Sequence, residues 1–529
     1  MKSIFGTLAA LLSIVPPAMA QPSSRADAAG ARSPALIVLI VIDQFKADYL
    51  TRFGSQLRGG LGRLSRDGAW FTNAYHDHAI AETAPGHATL LSGRFPRSTG
   101  IGMNRAGVDD SEFPMLDGAT GQGASPRRLR GTTLVDWLRA RDAKSKALSV
   151  SRKDRGAILP VGLSKQQVYW YSLDGRFTTS SYYTAVLPDW VQRFNARRLP
   201  HSYAGRTWKP MLPDSAYRER DSVEVESEGN QYAFPHTIPG DTARAVQWVI
   251  GSPWMDDITF AFALDGLQSL SLGVGPRTDV LSVSLSSTDA VGHRFGPDSK
   301  EMHDQILQVD RALGVFLDSL YRLRNPATVA LVLTSDHGVA RIPELAADSI
   351  RPAPVRASLR PLLDSVLAGL VRRKVNPAAI DVDQQLILIN RAEFKRAKVD
   401  ADSVLRSFAE AARRLPGIGR VDRFADLARA DTVADPVARR WLHQLSAQDS
   451  VELVVTLKPG STWGGNVASH VSPHDYDTHV PIIFYGPQFK PGRYSGFVRT
   501  VDIAPTMAAV AGVRPSEKLD GVVLQQALR

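Results

Sequence analysis

Leu36-Ile37-Val38-Leu39-Ile40-Val41-Ile42 is an unbroken apolar run rich in β-branched residues, and it stops at Asp43. An unbroken run of this length marks a strand buried on both faces, as in a parallel sheet, whereas a strand with one wet face alternates apolar and polar residues. Two further runs have the same form: Val280-Leu281-Ser282-Val283-Ser284-Leu285 leads to Asp289, and Val329-Ala330-Leu331-Val332-Leu333-Thr334 leads to Asp336. Between them Ile306, Val309, Leu313, Phe316, Leu317 and Leu320 recur at helical spacing, which predicts one amphipathic crossover helix and a βαβ unit. The expected fold class is α/β, a mostly parallel central sheet flanked by helices on both faces. In open sheets of this kind ligands bind outside the carboxyl ends of the strands, so three aspartates are predicted at one rim.

Two stretches break the rhythm. Residues 165–240 are rich in aromatic and turn residues, including Tyr169-Trp170-Tyr171 and Ser180-Ser181-Tyr182-Tyr183, and residues 345–465 carry a helix-and-strand set of their own. Both are expected as insertions capping the crevice of a catalytic domain spanning residues 35–529. At the start of the chain, Lys2, the apolar run Ile4 to Val15 and the ending Ala18-Met19-Ala20 have the three parts of a secretory signal. Residues 1–20 are expected to be a signal peptide and residues 21–34 a polar tether, with the mature protein periplasmic or secreted. The apolar run is too short to span a bilayer and no later run is longer, so no membrane span is expected.

Composition narrows the chemistry. The chain has 529 residues, 43% hydrophobic and 22% charged, which sets disorder and fibrous classes aside. It has no cysteine, so any metal must sit on His, Asp and Glu. The formal charge is +10, with Lys and Arg scattered rather than gathered in one run. That balance suits an enzyme attracting anionic substrates as well as a nucleic-acid binder, and charge alone does not choose between them.

Asp289-Ala290-Val291-Gly292-His293 spaces a carboxylate and an imidazole by four residues, so a helical turn would point both the same way. Alone, the pattern is also compatible with a surface turn. Asp336-His337-Gly338 adds a second Asp/His pair at the end of the next predicted strand. With Asp43 and a late His, the set comprises three Asp and three His, donors suited to two zinc ions. Thr83-Ala84-Pro85-Gly86-His87 reads as a loop turning into a helix, with Pro85 in the first turn. The Thr83 hydroxyl would then lie at the positive end of the helix dipole, where an alkoxide or a phosphate is favoured, although the same residue could serve as an ordinary N-cap.

Asp43, Thr83-Ala84-Pro85-Gly86-His87, Asn104, Ser151-Arg152-Lys153-Asp154-Arg155, Asp289 with His293, Asp336-His337 and Tyr476-Asp477-Thr478-His479-Val480-Pro481 resemble, in order and spacing, the alkaline phosphatase superfamily. Within it the likeness is to the phosphate-irrepressible type with a Thr nucleophile, and it runs from about residue 35 to the C-terminus. The resemblance implies that Asp43, Thr83, Asp336 and His337 hold one zinc, and that Asp289, His293 and a late His hold the other. His470 stands in the place of that late His, but Val471 replaces the glycine that follows it in the relatives, which leaves His474 and His479 as alternatives. Asn104, Lys153 and Arg155 would contact phosphate oxygens, the two cations facing one side as alternate residues of an extended segment. His76, His78 and His87 are given no ligand role.

The activity so implied is hydrolysis of phosphate monoesters through a phosphothreonine on Thr83. Small-molecule monoesters are the expected partners, no nucleic-acid partner is expected, and a monomer is. A phosphodiesterase or nucleotide pyrophosphatase of the same superfamily would share the Thr and the metal ligands; Lys153 and Arg155 match the extra charge of a monoester dianion. A sulfatase would need a Cys or Ser in a different motif. A non-catalytic envelope binding protein using residues 165–240 as a contact surface would have no use for six clustered ligands.

Overall fold

The computed structural model describes residues 33–105 and 107–529. The expected signal peptide and nearly all of the tether lie outside the described residues.

Nine strands form the central sheet: β1 (Leu36–Ile42), β2 (Ala69–Phe71), β3 (Ala147–Ser151), β4 (Gln167–Tyr171), β5 (Phe177–Thr178), β6 (Asp279–Leu285), β7 (Val329–Thr334), β8 (Ile482–Tyr485) and β9 (Gly492–Tyr494). Their order is β9-β2-β8-β7-β1-β6-β3-β4-β5. The five inner strands from β7 to β4 run parallel, while β8 and β5 add antiparallel strands at either side. The three apolar runs of the sequence are thus adjacent strands, β7-β1-β6, at the middle of the sheet.

Both faces of β1 are buried, and the alternation of its side chains assigns them to two cores. Leu36, Val38, Ile40 and Ile42 pack on one face with Ile306, Leu313, Phe316 and Leu317. Ile37, Leu39 and Val41 pack on the other with Leu90, Leu91 and Trp137. Four helices matter to the site: α1 (Thr83–Ser92), α2 (Asp154–Ile158), α3 (Ser287–Phe295) and α4 (Lys300–Leu323). α4 is the predicted crossover, and every apolar residue that defined its periodicity is buried.

The aromatic stretch differs from expectation at its start. Tyr169-Trp170-Tyr171 belong to β4, which pairs in parallel with β3 and extends the central sheet instead of capping it. The alternating faces of these aromatics satisfy the sheet: Tyr169 and Tyr171 join one core and Trp170 the other. Residues 345–465 contain a four-stranded antiparallel sheet, in the order Ile380–Asp383, Leu386–Ile389, Val451–Leu457, Ile418–Arg423. It has its own core around Ile387, Phe408 and Leu453.

Candidate active site

The carboxyl ends of β1, β6 and β7 meet at one rim because the three strands are in register, Leu36 lying beside Asp279 on one side and Val329 on the other. Asp43 follows β1, Asp336 follows β7, and Asp289 comes from the first turn of α3 after β6. All three carboxylates are buried. Gln44, with φ of +66°, bridges two of them: its backbone N–H donates to Asp336 Oδ1 at 3.1 Å and its side-chain amide to Asp289 Oδ1 at 3.1 Å.

Three histidines complete the cluster, and each turns one ring nitrogen to a main-chain oxygen. His337 Nδ1 faces Gly338 O at 2.9 Å, His293 Nδ1 faces Ala468 O at 2.8 Å, and His470 Nδ1 faces Ala81 O at 2.6 Å. A carbonyl only accepts, so the proton belongs on Nδ1 and each Nε2 keeps its lone pair for the cluster. His337 Nε2 lies 3.4 Å from Asp43 Oδ1, and His293 Nε2 lies 3.3 Å from Asp289 Oδ1 across one turn of α3. The His470 ring stacks on His337 with centroids 3.8 Å apart. His474 and His479 point elsewhere, to Leu457 O and Thr72 O.

Two sets of side chains bring ligand atoms close enough for a metal: Asp43 with Asp336 and His337, and Asp289 with His337 and His470. His337 therefore stands between the two sets, where the resemblance places it in the first alone, and His293 approaches through Asp289. The electrostatics fit divalent cations. Burial, reinforced by the charges of Asp289 and Asp336, pushes the Asp43 carboxyl up to about 7. Burial works the same way on Asp289, but the Lys153 ammonium outweighs it and holds that carboxyl well below the usual range. Burial holds His470 neutral. Asp43 Oδ1 and His337 Nε2 are buried without a hydrogen-bond partner. The Lys153 ammonium sits among the acids, 2.6 Å from Asp43 Oδ2 and 2.8 Å from Asp289 Oδ2, and marks the place as one that draws positive charge.

Thr83 opens α1, with Pro85 in the first turn and Gly93 ending the helix at φ of +65°. Gly86 lets this helix close on the rim, since a Cβ there would lie 2.3 Å from Asp336 O. Lys153 Nζ donates to Thr83 Oγ1 at 3.1 Å. Asn104 accepts from the Ala84 N–H through Oδ1 at 2.8 Å, which leaves its NH₂ as a donor on the cavity side. Lys153 and Arg155 line the same cavity, of about 530 Å³, as Thr83 and Asn104. They do so differently from expectation: only Lys153 is extended, and Arg155 belongs to α2, so the chain turns helically instead of alternating.

His76 and His78 are buried away from the cluster's ligand sets, His76 between Ser335 O and Thr500 Oγ1. His87 hydrogen-bonds Thr83 O at 2.9 Å within α1, and its Nδ1 also comes within 3.2 Å of Asp336 Oδ2. Sequence reasoning did not find that contact, nor Gln44, nor Glu82, whose carboxylate accepts from the Asn104 N–H at 2.7 Å. A Glu immediately before the Thr83 loop is the one sequence signal that could have pointed there.

The family model of type I phosphodiesterase / nucleotide pyrophosphatase matches residues 37–460. The chain is 30% identical to alkaline phosphatase PhoV of Synechococcus elongatus, over 94% of this chain and 93% of that one. It is 31% identical to alkaline phosphatase PhoK of a Sphingomonas species, over 93% and 91%. The crystal structure of wild-type alkaline phosphatase PafA superposes with a TM-score of 0.87 at 26% identity, covering 94% of this chain and 99% of that one.

Proposed function

The chain belongs to the type I phosphodiesterase / nucleotide pyrophosphatase family of the alkaline phosphatase superfamily, and on that premise we propose an alkaline phosphatase that hydrolyses phosphate monoesters through a phosphothreonine on Thr83. The observation that carries this reading is the position of the Thr83 hydroxyl, at the start of α1 and 3.1 Å from the Lys153 ammonium beside three buried carboxylates. Asp43, Thr83, Asp336 and His337 would hold one zinc, and Asp289, His293 and His470 a second. When bound, the two ions supply the positive charge that makes a Thr hydroxyl acidic enough to attack and that offsets charge on the leaving oxygen.

The chain's own groups do the rest. Thr83 Oγ attacks phosphorus in line with the leaving oxygen, forming the Thr83 O–P bond as the ester P–O bond breaks. Lys153, Arg155 and the Asn104 amide hold the three non-bridging oxygens, and the N-terminal end of α1 adds its dipole. Water then takes the phosphoryl group from Thr83 in a second in-line step, so two inversions give retention at phosphorus. The pair of cations favours a monoester dianion over a diester, which has one terminal oxygen and one charge fewer. Residues 1–20 are read as a leader cleaved on export to the periplasm or medium.

Acid-quenching the enzyme during turnover and mapping phosphopeptides tests this directly. A phosphate on Thr83 is expected, and Thr83→Ala is expected to lose it with roughly a thousandfold or more of the rate. Steady turnover by Thr83→Ala would remove the nucleophile from the account.

A further inference from the structure

Arg152 lies between the end of β3 and Lys153 and lines the same cavity as Lys153 and Arg155. Its side chain is only 19% exposed. Its Nε is buried without a hydrogen-bond partner, and among the described residues its nearest carboxylate is Asp289, with Nη2 to Oδ2 at 3.8 Å, beyond hydrogen-bond reach. A guanidinium carries five N–H donors in a fixed fork and is costly to bury unpaired. Lys153 and Arg155, with Asn104, already match the three non-bridging oxygens of one phosphoryl group. The cavity, at about 530 Å³, has room for more than that group.

We propose that Arg152 binds an oxyanion on the leaving group, so that the preferred substrates are phosphate monoesters whose alcohol carries a carboxylate or a second phosphoryl group. The proposal rests on the phosphomonoesterase reading. In that reading Asp289 would hold the zinc that Thr83 does not share, which puts it on the leaving-group side, and Arg152 is the cation near it that the phosphoryl oxygens leave unused. The guanidinium fork pairs bidentately with carboxylate and phosphate alike.

The matched pair 2-phosphoglycerate and glycerol 2-phosphate differs by one carboxylate in place of one CH₂OH, and inorganic pyrophosphate supplies the phosphoryl arm. The zinc-loaded full-length wild-type enzyme is expected to show a higher kcat/KM for 2-phosphoglycerate than for glycerol 2-phosphate. Arg152→Gln is expected to lower that ratio about tenfold or more, and Arg152→Lys to lower it less. A parallel fall for pyrophosphate would extend the site to phosphoryl groups, and its absence would confine the site to carboxylates. A wild-type ratio at or below one overturns the proposal whatever the variants do. So does an unchanged ratio in Arg152→Gln, which would make Arg152 a support for Asp289. Failure of the wild type on both monoesters would be the separate failure of the phosphomonoesterase reading.

Discussion

Val471 carries φ of +86°, a conformation that glycine adopts freely and a β-branched residue resists. It follows His470 directly, and two things hold it there: Gln385 Nε2 donates to Val471 O at 3.2 Å, and the side chain packs with Ala79, Ile80 and Met103. Val471→Ala keeps the strain and gives up about 1.5 kcal/mol of packing, whereas Val471→Gly gives up more packing but sheds roughly 1–2 kcal/mol of strain. The glycine variant is therefore expected to match the alanine variant or exceed it by up to about 1 kcal/mol in urea unfolding at equal metal loading, despite its greater loss of packing and chain entropy; an alanine variant more stable by about 1 kcal/mol would contradict the strain. Asp477 makes a pH prediction. Burial, only partly offset by donors from Ser472 at 2.9 and 2.6 Å, raises its carboxyl to about 8. In the unfolded chain the group ionises near pH ~4, so between about 4 and 8 the folded state holds the extra proton and stability falls as pH rises. Asp477→Asn is expected to flatten that slope in thermal melts across the window, and an unchanged slope would assign it to other groups. At this scale, the gathering of Asp43, Asp289 and Asp336 at one rim was legible because each ends or follows an apolar run, whereas Thr83, His293 and His337 were singled out by local motif and by resemblance. Gln44 was not, because a bridging amide leaves no spacing.

At the scale of elements, the inserted sheet reaches the candidate site through one turn, Asp383-Gln384-Gln385. Gln384 donates to Glu82 at 3.2 Å, Glu82 in turn holds the Asn104 N–H, and Arg105 pairs with Asp383 at 2.7 Å. Gln385 supports the loop after His470 from the same turn. Glu82→Gln weakens a charge-assisted hydrogen bond and is expected to lower monoester kcat/KM roughly tenfold, acting through Asn104. In a double-mutant cycle with Asn104→Ala the two losses should then fall well short of additive; additivity would show that Glu82 acts by another route. The three central strands and the crossover α4 were readable because long apolar runs and a sustained 3.6-residue period leave little ambiguity. β4 was not, because three consecutive aromatics among turn residues fit a strand and a cap equally well. The two- and three-residue strands β2, β5 and β9 have no period to read.

For the whole molecule, the cluster is an electrostatic fault that bound cations would repair. Three carboxylates crowd one buried rim with a single lysine among them, so removal of bound metal should destabilise the fold as well as stop turnover. At ligand 100-fold above its Kd the linkage is about 3 kcal/mol per site. Chelation is expected to lower the Tm and zinc to restore both Tm and activity; a chelated protein with unchanged Tm would argue that the cluster stands without metal. Among the described residues no helix is long and apolar enough to cross a membrane. As proposed, the site is built for the phosphate monoester dianion. Hydrolysis of p-nitrophenyl phosphate beside bis-p-nitrophenyl phosphate, by wild type and by Lys153→Ala/Arg155→Ala, measures it most directly. A strong monoester preference that collapses in the double variant is predicted; a wild-type preference for the diester, or a monoester preference that survives without both cations, would contradict it.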